Sequence, residues 1–343
     1  MMNGRERILA AINMEPTDQT PLAPPFQGYW ALGVMGVKGP DAIKHPKMAA
    51  QAQIKIAEKC KFDGMETMWD WLSPVEALGC EVKIPDLGAI PTWVNILSED
   101  VDKLSMLQVP EPAKDYRLKS SMETTAIIRK TLGTEKFLYN TLVCPFTLAG
   151  ELRGVESMML DSLLEPEFLP ELLRFSTDVV REYCNYLIGF ELDGIFICDP
   201  TASGSLISKE DYIRFSQPAQ KECAEVINRG GKYTLLHMCG DTSDRLEYVM
   251  DVGSSIFSMD YQVPLREARR QMAGKQAFLG NVKPAHTLYS GTSQAVIDES
   301  LQCIRDGGNV GFILGAGCDI APDTPLENVE VWNDVVTMTK RSP

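Results

Sequence analysis

The sequence is poor in basic charge and has no long apolar run. Its 33 lysines and arginines are outnumbered by 47 aspartates and glutamates, which gives a net charge of −14 at pH 7. A nucleic-acid-binding surface needs a basic patch, and the sequence offers no candidate for one, nor for a polybasic membrane patch. Because no run of about 18 apolar residues occurs, we expect neither a membrane-spanning helix nor a membrane partner.

The nine cysteines do not have the pattern of a disulfide framework. They are odd in number and are scattered through 343 residues, whereas disulfide frameworks belong to short secreted chains. The N-terminal string MMNGRERILAAINMEP also lacks the apolar core of a signal peptide. We therefore expect a cytoplasmic protein in which most cysteines are small, buried apolar residues.

Short apolar strands alternate with longer helical stretches along most of the chain. Several strand candidates follow a turn signal, such as Asp63-Gly64 and Asp193-Gly194. This alternation is typical of a parallel sheet with helical crossovers, and eight such units predict a single (β/α)₈ barrel over residues 1–343. The predicted strands begin near Pro21, Gly64, Phe137, Gly194, Tyr233, Ser255, Ala277 and Val310.

Two helices are predicted to begin at capping boxes. Ser208, three positions before Asp211, has the spacing of a box in which the serine hydroxyl caps the helix. Thr324 stands in the same relation to Glu327, with Pro325 expected in the first helical turn. Both helices are expected on the outside of the barrel.

One segment breaks the alternation of strand and helix. Residues 79–117 lie between the second and third predicted strands and are punctuated by proline and glycine. We interpret them as an insertion or lid on the barrel, not as a separate domain.

The strongest chemical signal is one histidine and two cysteines. His237 and Cys239 lie two residues apart at the end of the fifth predicted strand, so an extended chain points both side chains the same way. Cys318 follows the eighth strand, and all three are expected at the C-terminal mouth, where active sites of such barrels lie. One imidazole and two thiolates suit zinc, and three protein ligands are typical of a catalytic zinc. The alternative is that each is an ordinary buried residue.

Three carboxylates are predicted at the same mouth. They are Asp199 after the fourth strand, Glu151 after the third and Asp260 after the sixth. Asp260 is a candidate fourth zinc ligand that a substrate displaces, and Asp199 or Glu151 is a candidate general acid or partner of the zinc-bound histidine. The alternative for each carboxylate is a helix cap or a solvated loop charge.

Aromatic residues gather after the first two predicted strands. They are Phe26, Tyr29, Trp30, Trp69 and Trp71. Together they could line an apolar substrate pocket. The alternative is that they pack between the insertion and the barrel.

Several longer strings surround these candidate residues. They are His237-Met-Cys-Gly-Asp-Thr, Gly315-Ala-Gly-Cys318-Asp-Ile-Ala-Pro322, Asp199-Pro-Thr-Ala-Ser203, Glu76-Ala-Leu-Gly-Cys80 and Leu279-Gly-Asn-Val282. In these strings the sequence resembles the zinc methyltransferases of the uroporphyrinogen decarboxylase superfamily, which include the methylcobalamin:coenzyme M methyltransferases. The resemblance covers nearly the whole chain and implies a (β/α)₈ barrel. It also implies that zinc acts as a Lewis acid on the heteroatom that gains or loses a methyl group.

The resemblance implies a corrinoid, and the sequence predicts that a separate protein carries it. No DxHxxG string, expected of a cobalamin-binding domain, occurs in the chain. The true decarboxylases of the superfamily carry an arginine-rich segment after the first strand, whereas residues 24–30 here read PPFQGYW. A binder of many carboxylates needs cationic partners, so decarboxylation is disfavoured.

Two directions of methyl transfer are compatible with the resemblance. The first hypothesis is O-demethylation, in which a methoxylated aromatic compound gives its methyl group to the cobalt of the corrinoid protein. It is favoured because residues 68–74 are aromatic and acidic, whereas coenzyme M carries a sulfonate that needs cations. The alternative is transfer from the methyl-corrinoid to a thiol such as coenzyme M, with Arg153, Lys283 or Arg214 near the anion. A decarboxylase-type lyase and a non-catalytic corrinoid- or zinc-binding protein are further alternatives.

Overall fold

The computed structural model describes residues 1–68, 71–86, 91–165 and 167–340. Seven parallel strands form one sheet, with the order β1-β4-β5-β6-β7-β8-β9, and β2 pairs with β3 in a separate hairpin. The strands are β1 (Gly64–Glu66), β2 (Val82–Lys83), β3 (Thr92–Trp93), β4 (Phe137–Val143), β5 (Gly194–Cys198), β6 (Tyr233–Met238), β7 (Ile256–Met259), β8 (Ala277–Val282) and β9 (Phe312–Ala316). Each of the seven parallel strands begins at or within two residues of a predicted position.

Residues 21–23 close the sheet into a barrel. Leu22 forms a single parallel bridge with Leu314 of β9, and on its other side its carbonyl accepts hydrogen bonds from the amides of Asp63 and Gly64 at the start of β1. The first predicted strand is therefore reduced to one bridge, because the string PLAPPF contains three prolines that have no N–H to donate to a ladder. The predicted (β/α)₈ barrel is confirmed, with this segment in the place of its first strand.

Helices follow the strands and cover the outside of the barrel. The α-helices are α1 (Gly4–Ile12), α2 (Gly28–Val34), α3 (Gly39–Lys44), α4 (Pro46–Lys59), α5 (Ser73–Ala77), α6 (Tyr116–Leu132), α7 (Pro145–Arg153), α8 (Val155–Leu164), α9 (Phe168–Ile188), α10 (Lys209–Asp211), α11 (Gln217–Arg229), α12 (Leu246–Met250), α13 (Leu265–Met272), α14 (Ser293–Gly307) and α15 (Leu326–Met338). Short 3₁₀ segments span Val101–Met106, Pro112–Lys114, Pro200–Ala202 and Ser243–Arg245, and π-helical segments span Tyr212–Ser216 and Pro284–Tyr289. Among the described residues, no helix has the length and apolar character that crossing a bilayer requires.

Alternate residues of each strand face two different cores. Leu236 and Met238 of β6 pack in the large cluster between the strands and the helices, whereas Leu235 belongs to a smaller cluster inside the barrel. Because side chains alternate along a strand, His237 follows Leu235 into the barrel interior. The strand register thus turns the histidine towards the barrel axis.

One of the two capping predictions is confirmed and the other is wrong. The Ser208 side chain accepts a hydrogen bond from the Asp211 amide at the start of α10. At α15 the N-cap is Pro325, whose ψ of 130° is not helical, and no side chain caps the helix. Thr324 therefore lies one position too early to cap, and its buried hydroxyl has no partner among the described residues.

The insertion between β1 and β4 is attached to helix α7. Its hairpin pairs Val82 with Trp93, and the side chains of Trp93 and Asn95 both donate hydrogen bonds to the backbone carbonyl of Glu151. The amide of Leu97 donates to the carbonyl of Leu152 in the same helix. The insertion consequently forms one wall of the barrel mouth, where Glu151 lies.

Glu66 is a fully buried carboxyl at the end of β1. Its oxygens accept hydrogen bonds from the amides of Gln27 and Gly28 and from the hydroxyl of Thr141. Burial raises the pKa of Glu66 from 4.5 to about 8, against the lowering effect of these hydrogen bonds. The folded protein thus holds this proton more tightly than the unfolded chain does.

We expect Glu66 to make stability depend on pH in a defined direction. A raised folded-state pKa contributes stability that is fully present below about pH 4.5 and is lost as the pH rises through about 8. Between these values the wild type should lose roughly a few kcal/mol of unfolding free energy relative to Glu66→Gln, measured by urea unfolding. Exposed Glu123→Gln is the matched control, and it should follow the wild type. Parallel pH profiles for Glu66→Gln and the wild type would contradict the expectation.

Candidate metal centre and its cavity

Three side chains converge at the C-terminal ends of β6 and β9. His237 Nε2 lies 3.2 Å from Cys239 Sγ, and Cys239 Sγ lies 3.4 Å from Cys318 Sγ. All three candidate ligand atoms lie within 4.8 Å of one another. Since zinc–nitrogen and zinc–sulfur bonds are about 2.0–2.3 Å long, one ion can reach all three. The structure thus brings together the three residues that the sequence suggested.

Ser258 and Phe26 contact the imidazole of His237. Its Nδ1 lies 3.1 Å from both the carbonyl oxygen and the hydroxyl of Ser258 in β7. The Phe26 ring meets the imidazole edge-on, with ring centroids 5.0 Å apart. A proton on Nδ1 that is donated to the Ser258 carbonyl leaves the Nε2 lone pair directed at the two sulfurs, as a metal ligand requires.

The two thiols differ in acidity. Hydrogen bonding with Cys239 and His237 lowers the pKa of the Cys318 thiol well below its usual range. The same contact, together with burial, raises the pKa of the Cys239 thiol. Cys318 is therefore the thiol that ionises first.

The donor set fits zinc. A neutral imidazole and thiolate sulfurs suit a borderline-soft divalent ion, and two thiolates cancel its charge. Among the described residues, only His237, Cys239 and Cys318 form a group that could hold a metal. Three protein ligands leave one position of a tetrahedral ion open to a small molecule.

An apolar cavity of about 250 Å³ opens onto the three candidate ligands. Its other lining residues are Phe26, Trp71, Trp93, Val143, Thr147, Glu151, Val155, Cys198, Pro200 and Thr201. Within the described part of the chain, this lining contains no lysine or arginine. The cavity is thus a small, largely apolar chamber with the candidate metal centre in its wall.

Within the described lining, Glu151 is the one carboxyl. It lies on α7 and is buried, and its Oε2 atom has no hydrogen-bond partner among the residues the structure describes. Burial raises the pKa of Glu151 well above its usual value, a hydrogen bond with the Trp71 side chain lowers it and the charge of Asp199 raises it. Burial therefore favours the protonated, neutral form of this side chain.

The other two predicted carboxylates, Asp199 and Asp260, do not line the cavity. Asp199 is buried, and its oxygens accept hydrogen bonds from Thr147, Ser216 and Gln220. Burial raises the pKa of the Asp199 carboxyl above its usual value, and these hydrogen bonds offset only part of the rise. Asp260 Oδ1 accepts a hydrogen bond from the Gln262 amide. Neither carboxylate lines the cavity, although Thr147 connects Asp199 to it.

The predicted aromatic residues have different locations. Phe26 and Trp71 line the cavity, and Tyr29 packs edge-on against Trp71 with ring centroids 6.3 Å apart. Trp30 is fully buried on α2 and donates its indole N–H to the Thr324 carbonyl, away from the cavity. Trp69 lies outside the described residues.

The sequence interpretation missed several residues of the cavity wall. Trp93 reaches it from the insertion hairpin, and Thr147, Val155 and Thr201 reach it from segments that follow β4 and β5. An aromatic residue in a proline-punctuated insertion was a usable signal for Trp93. No sequence signal distinguishes the valine and the threonines from ordinary core residues.

We expect the purified protein to hold about one zinc ion per chain, and the variants His237→Ala, Cys239→Ser and Cys318→Ser to hold far less. Each variant removes one donor from a three-donor site, so affinity should fall steeply. Metal content by mass spectrometry and circular dichroism give the two readouts. Cys303→Ala changes a buried cysteine outside this group and should keep the metal. Unchanged zinc in Cys318→Ser would show that the ion is bound elsewhere.

Comparisons with known proteins find matches that span nearly the whole chain. The family model described as uroporphyrinogen decarboxylase (URO-D) matches residues 3–338. The methylated-thiol–coenzyme M methyltransferase of Methanosarcina mazei is 28% identical over 337 residues, covering 96% of this chain and 88% of that protein. The methylcobamide:CoM methyltransferase MtaA of Methanosarcina barkeri is 26% identical, covering 95% of each. A solved methyltransferase from Methanosarcina mazei has a TM-score of 0.89 at 25% identity, covering 98% of this chain and 99% of that one.

Proposed function

The chain belongs to the uroporphyrinogen decarboxylase family, and on that premise we propose that it is a methyltransferase acting between the corrinoid of a separate protein and a small molecule. The observation that carries the proposal is the group His237, Cys239 and Cys318, three donors that face an apolar cavity of about 250 Å³. Relatives that span nearly the whole chain are named as methyltransferases, two of them for coenzyme M.

We propose a thiol as the partner that accepts the methyl group. The relatives named above favour this direction over the O-demethylation that the sequence alone led us to expect. The new sulfur–carbon bond forms as the cobalt–carbon bond breaks, the electron pair of the broken bond stays on cobalt, and the thiol proton leaves to solvent. A zinc ion bound by the three donors would supply Lewis acidity that keeps the substrate sulfur as a thiolate.

The chain's own residues prepare the site for this transfer. Ser258 fixes the orientation of His237 and so the direction of its Nε2 lone pair. Phe26, Trp71 and Trp93 give the cavity an apolar lining, and a site poor in water strengthens electrostatic interactions inside it. Burial favours the protonated form of Glu151, which would add no negative charge to repel a thiolate. Together these residues would present one thiol sulfur to an incoming methyl group in a largely apolar chamber.

We expect the zinc-loaded protein to catalyse the loss of methylcobalamin in the presence of a thiol. Absorbance of the methyl–cobalt bond and mass spectrometry of the S-methyl product give the measurement. His237→Ala and Cys318→Ser should lose more than the roughly 10–100-fold typical of removing an outer partner of a metal ligand. Cys303→Ala is the matched control and should keep the wild-type rate. A Cys318→Ser variant as fast as the wild type would rule out this site.

An aryl methyl ether is the second candidate substrate. The observation in its favour is the aromatic lining formed by Phe26, Trp71 and Trp93, which suits a flat ring. The direction of transfer then reverses: the cobalt–carbon bond forms from the electron pair of reduced cobalt as the carbon–oxygen bond breaks, and the phenolate leaves and takes a proton from solvent.

We expect a clear answer from a direct assay of this reversed reaction. Protein incubated with cob(I)alamin and 2-methoxyphenol should form methylcobalamin, seen by absorbance, if the ether is a substrate. If thiols give S-methyl product and 2-methoxyphenol gives no methylcobalamin, only transfer to a thiol remains as the direction of the reaction. Cys318→Ser provides the background rate in both assays.

The decarboxylase activity for which the family is named fits this cavity poorly. Residues 24–30 contain no arginine, and the described lining supplies neither lysine nor arginine. A tetrapyrrole with several carboxylates needs such cations. A chamber of about 250 Å³ also suits a much smaller molecule.

A further inference from the structure

We propose that this cavity selects a methyl carrier that has no ionised group, and that Glu151 is its polar anchor. The carrier is an uncharged thiol, thioether or methyl ether with an apolar body. The inference rests on the methyl-transfer function proposed above and specifies its substrate class. It departs from the relatives that are named for coenzyme M, because coenzyme M carries a sulfonate.

Among the described residues, no cation lines the cavity to pair with an anionic substrate, since the lining has neither lysine nor arginine. A sulfonate or carboxylate in this cavity would therefore be buried without a counter-charge, which is strongly unfavourable.

The three cations that the sequence suggested for an anion are all placed elsewhere. Arg153 pairs with Asp161 through two nitrogens and donates to backbone carbonyls of the insertion. Arg214 stacks on Phe215, 4.7 Å from its ring centroid, and Lys283 is half-exposed beside Glu299. None of the three lines the cavity.

The remaining groups leave the chamber close to electrical neutrality. Two thiolates would balance the charge of a bound divalent ion, and burial favours the protonated form of the Glu151 carboxyl. A substrate thiolate would bind directly to that ion, whereas a second anionic group on the substrate body would have no counter-charge in the described lining. The charges of the lining groups therefore favour a neutral ligand, as the apolar composition of the lining also does.

Within the described lining, Glu151 supplies the one carboxyl group. A carboxylic acid offers both an O–H donor and an acceptor oxygen. One oxygen interacts with Trp71, whereas Oε2 has no partner among the described residues. A neutral hydroxyl or ether oxygen on the substrate body would satisfy it, which makes Glu151 a specificity-determining residue.

Equilibrium binding of matched thioethers tests the charge preference without any turnover. Zinc-loaded protein is titrated with thioanisole and with 4-(methylthio)benzoate, followed by tryptophan fluorescence, since Trp71 and Trp93 lie in the wall. We expect thioanisole to bind at least about tenfold more tightly. Equal or tighter binding of the benzoate would overturn the inference.

A new cation in the wall should reverse this preference. Val155 is a half-buried lining residue, so the long side chain of Val155→Lys can reach the cavity with its charge. The affinity ratio should shift by about tenfold towards the benzoate, whereas the matched Val155→Met should keep the neutral preference. A Val155→Lys ratio equal to that of Val155→Met would count against the electrostatic explanation.

The anchor role of Glu151 is tested with the three isomers of (methylthio)phenol. The isomer with the highest affinity should bind at least about fivefold more tightly than thioanisole, as expected for one added hydrogen bond. Glu151→Leu should abolish this gain, and Glu151→Gln should retain it. If no isomer gains, or if the gain survives in Glu151→Leu, Glu151 is not the anchor.

These outcomes separate the inference from the proposed function. Tight binding of neutral ligands without any methyl transfer from methylcobalamin would reject the methyltransferase proposal and leave the charge preference standing. Efficient methyl transfer to 2-mercaptoethanesulfonate, at a rate equal to that of 2-mercaptoethanol, would reject the charge preference and leave the methyltransferase proposal standing.

Discussion

The closure of the parallel sheet is the constraint on which the site depends. Leu22 accepts a hydrogen bond from Gly64 of β1, and Pro21 and Ala23 hydrogen-bond with Leu314 of β9, which completes the ring of strands. This closure places the C-terminal ends of all strands at one mouth. Only in a closed ring do the ends of β6 and β9 approach each other so that Cys239 and Cys318 bring their sulfurs to 3.4 Å. The candidate metal centre is thus a consequence of barrel geometry, and any change that opened the sheet near residues 21–23 would separate its ligands.

The low charge of the cavity wall is the second organising feature of the site. The Asp199 carboxyl accepts hydrogen bonds from three side chains, burial favours the protonated form of Glu151, and two thiolates would match a bound divalent ion. In the proposed reaction, this arrangement would let a methyl group pass between two centres without a large change in local charge. It also explains why a cavity in this family can lack the arginines that a porphyrin substrate would need.

Particular residues show where inference from sequence succeeded and where it failed. The alternation of apolar segments was enough to locate the strands, because buried parallel strands differ sharply from amphipathic helices in their periodicity. The cap at Thr324 was wrong because the ψ angle of Pro325 decides where α15 begins, and sequence spacing does not report that angle. Trp30 shares a sequence neighbourhood with Phe26, yet the turn into α2 carries its indole away from the cavity.

The sequence by itself determined the barrel, the position of the insertion and the identity of three soft donor residues, because these follow from periodicity and from the alternation of side chains along a strand. Only the tertiary structure decided which carboxyl and which aromatic residues reach the cavity. Glu151, Asp199 and Asp260 all follow strands and look equivalent in sequence. The packing of the insertion onto α7 places the first in the cavity wall, whereas Asp199 and Asp260 do not line the cavity. Contacts between segments far apart in the chain set these positions, and no local pattern contains that information.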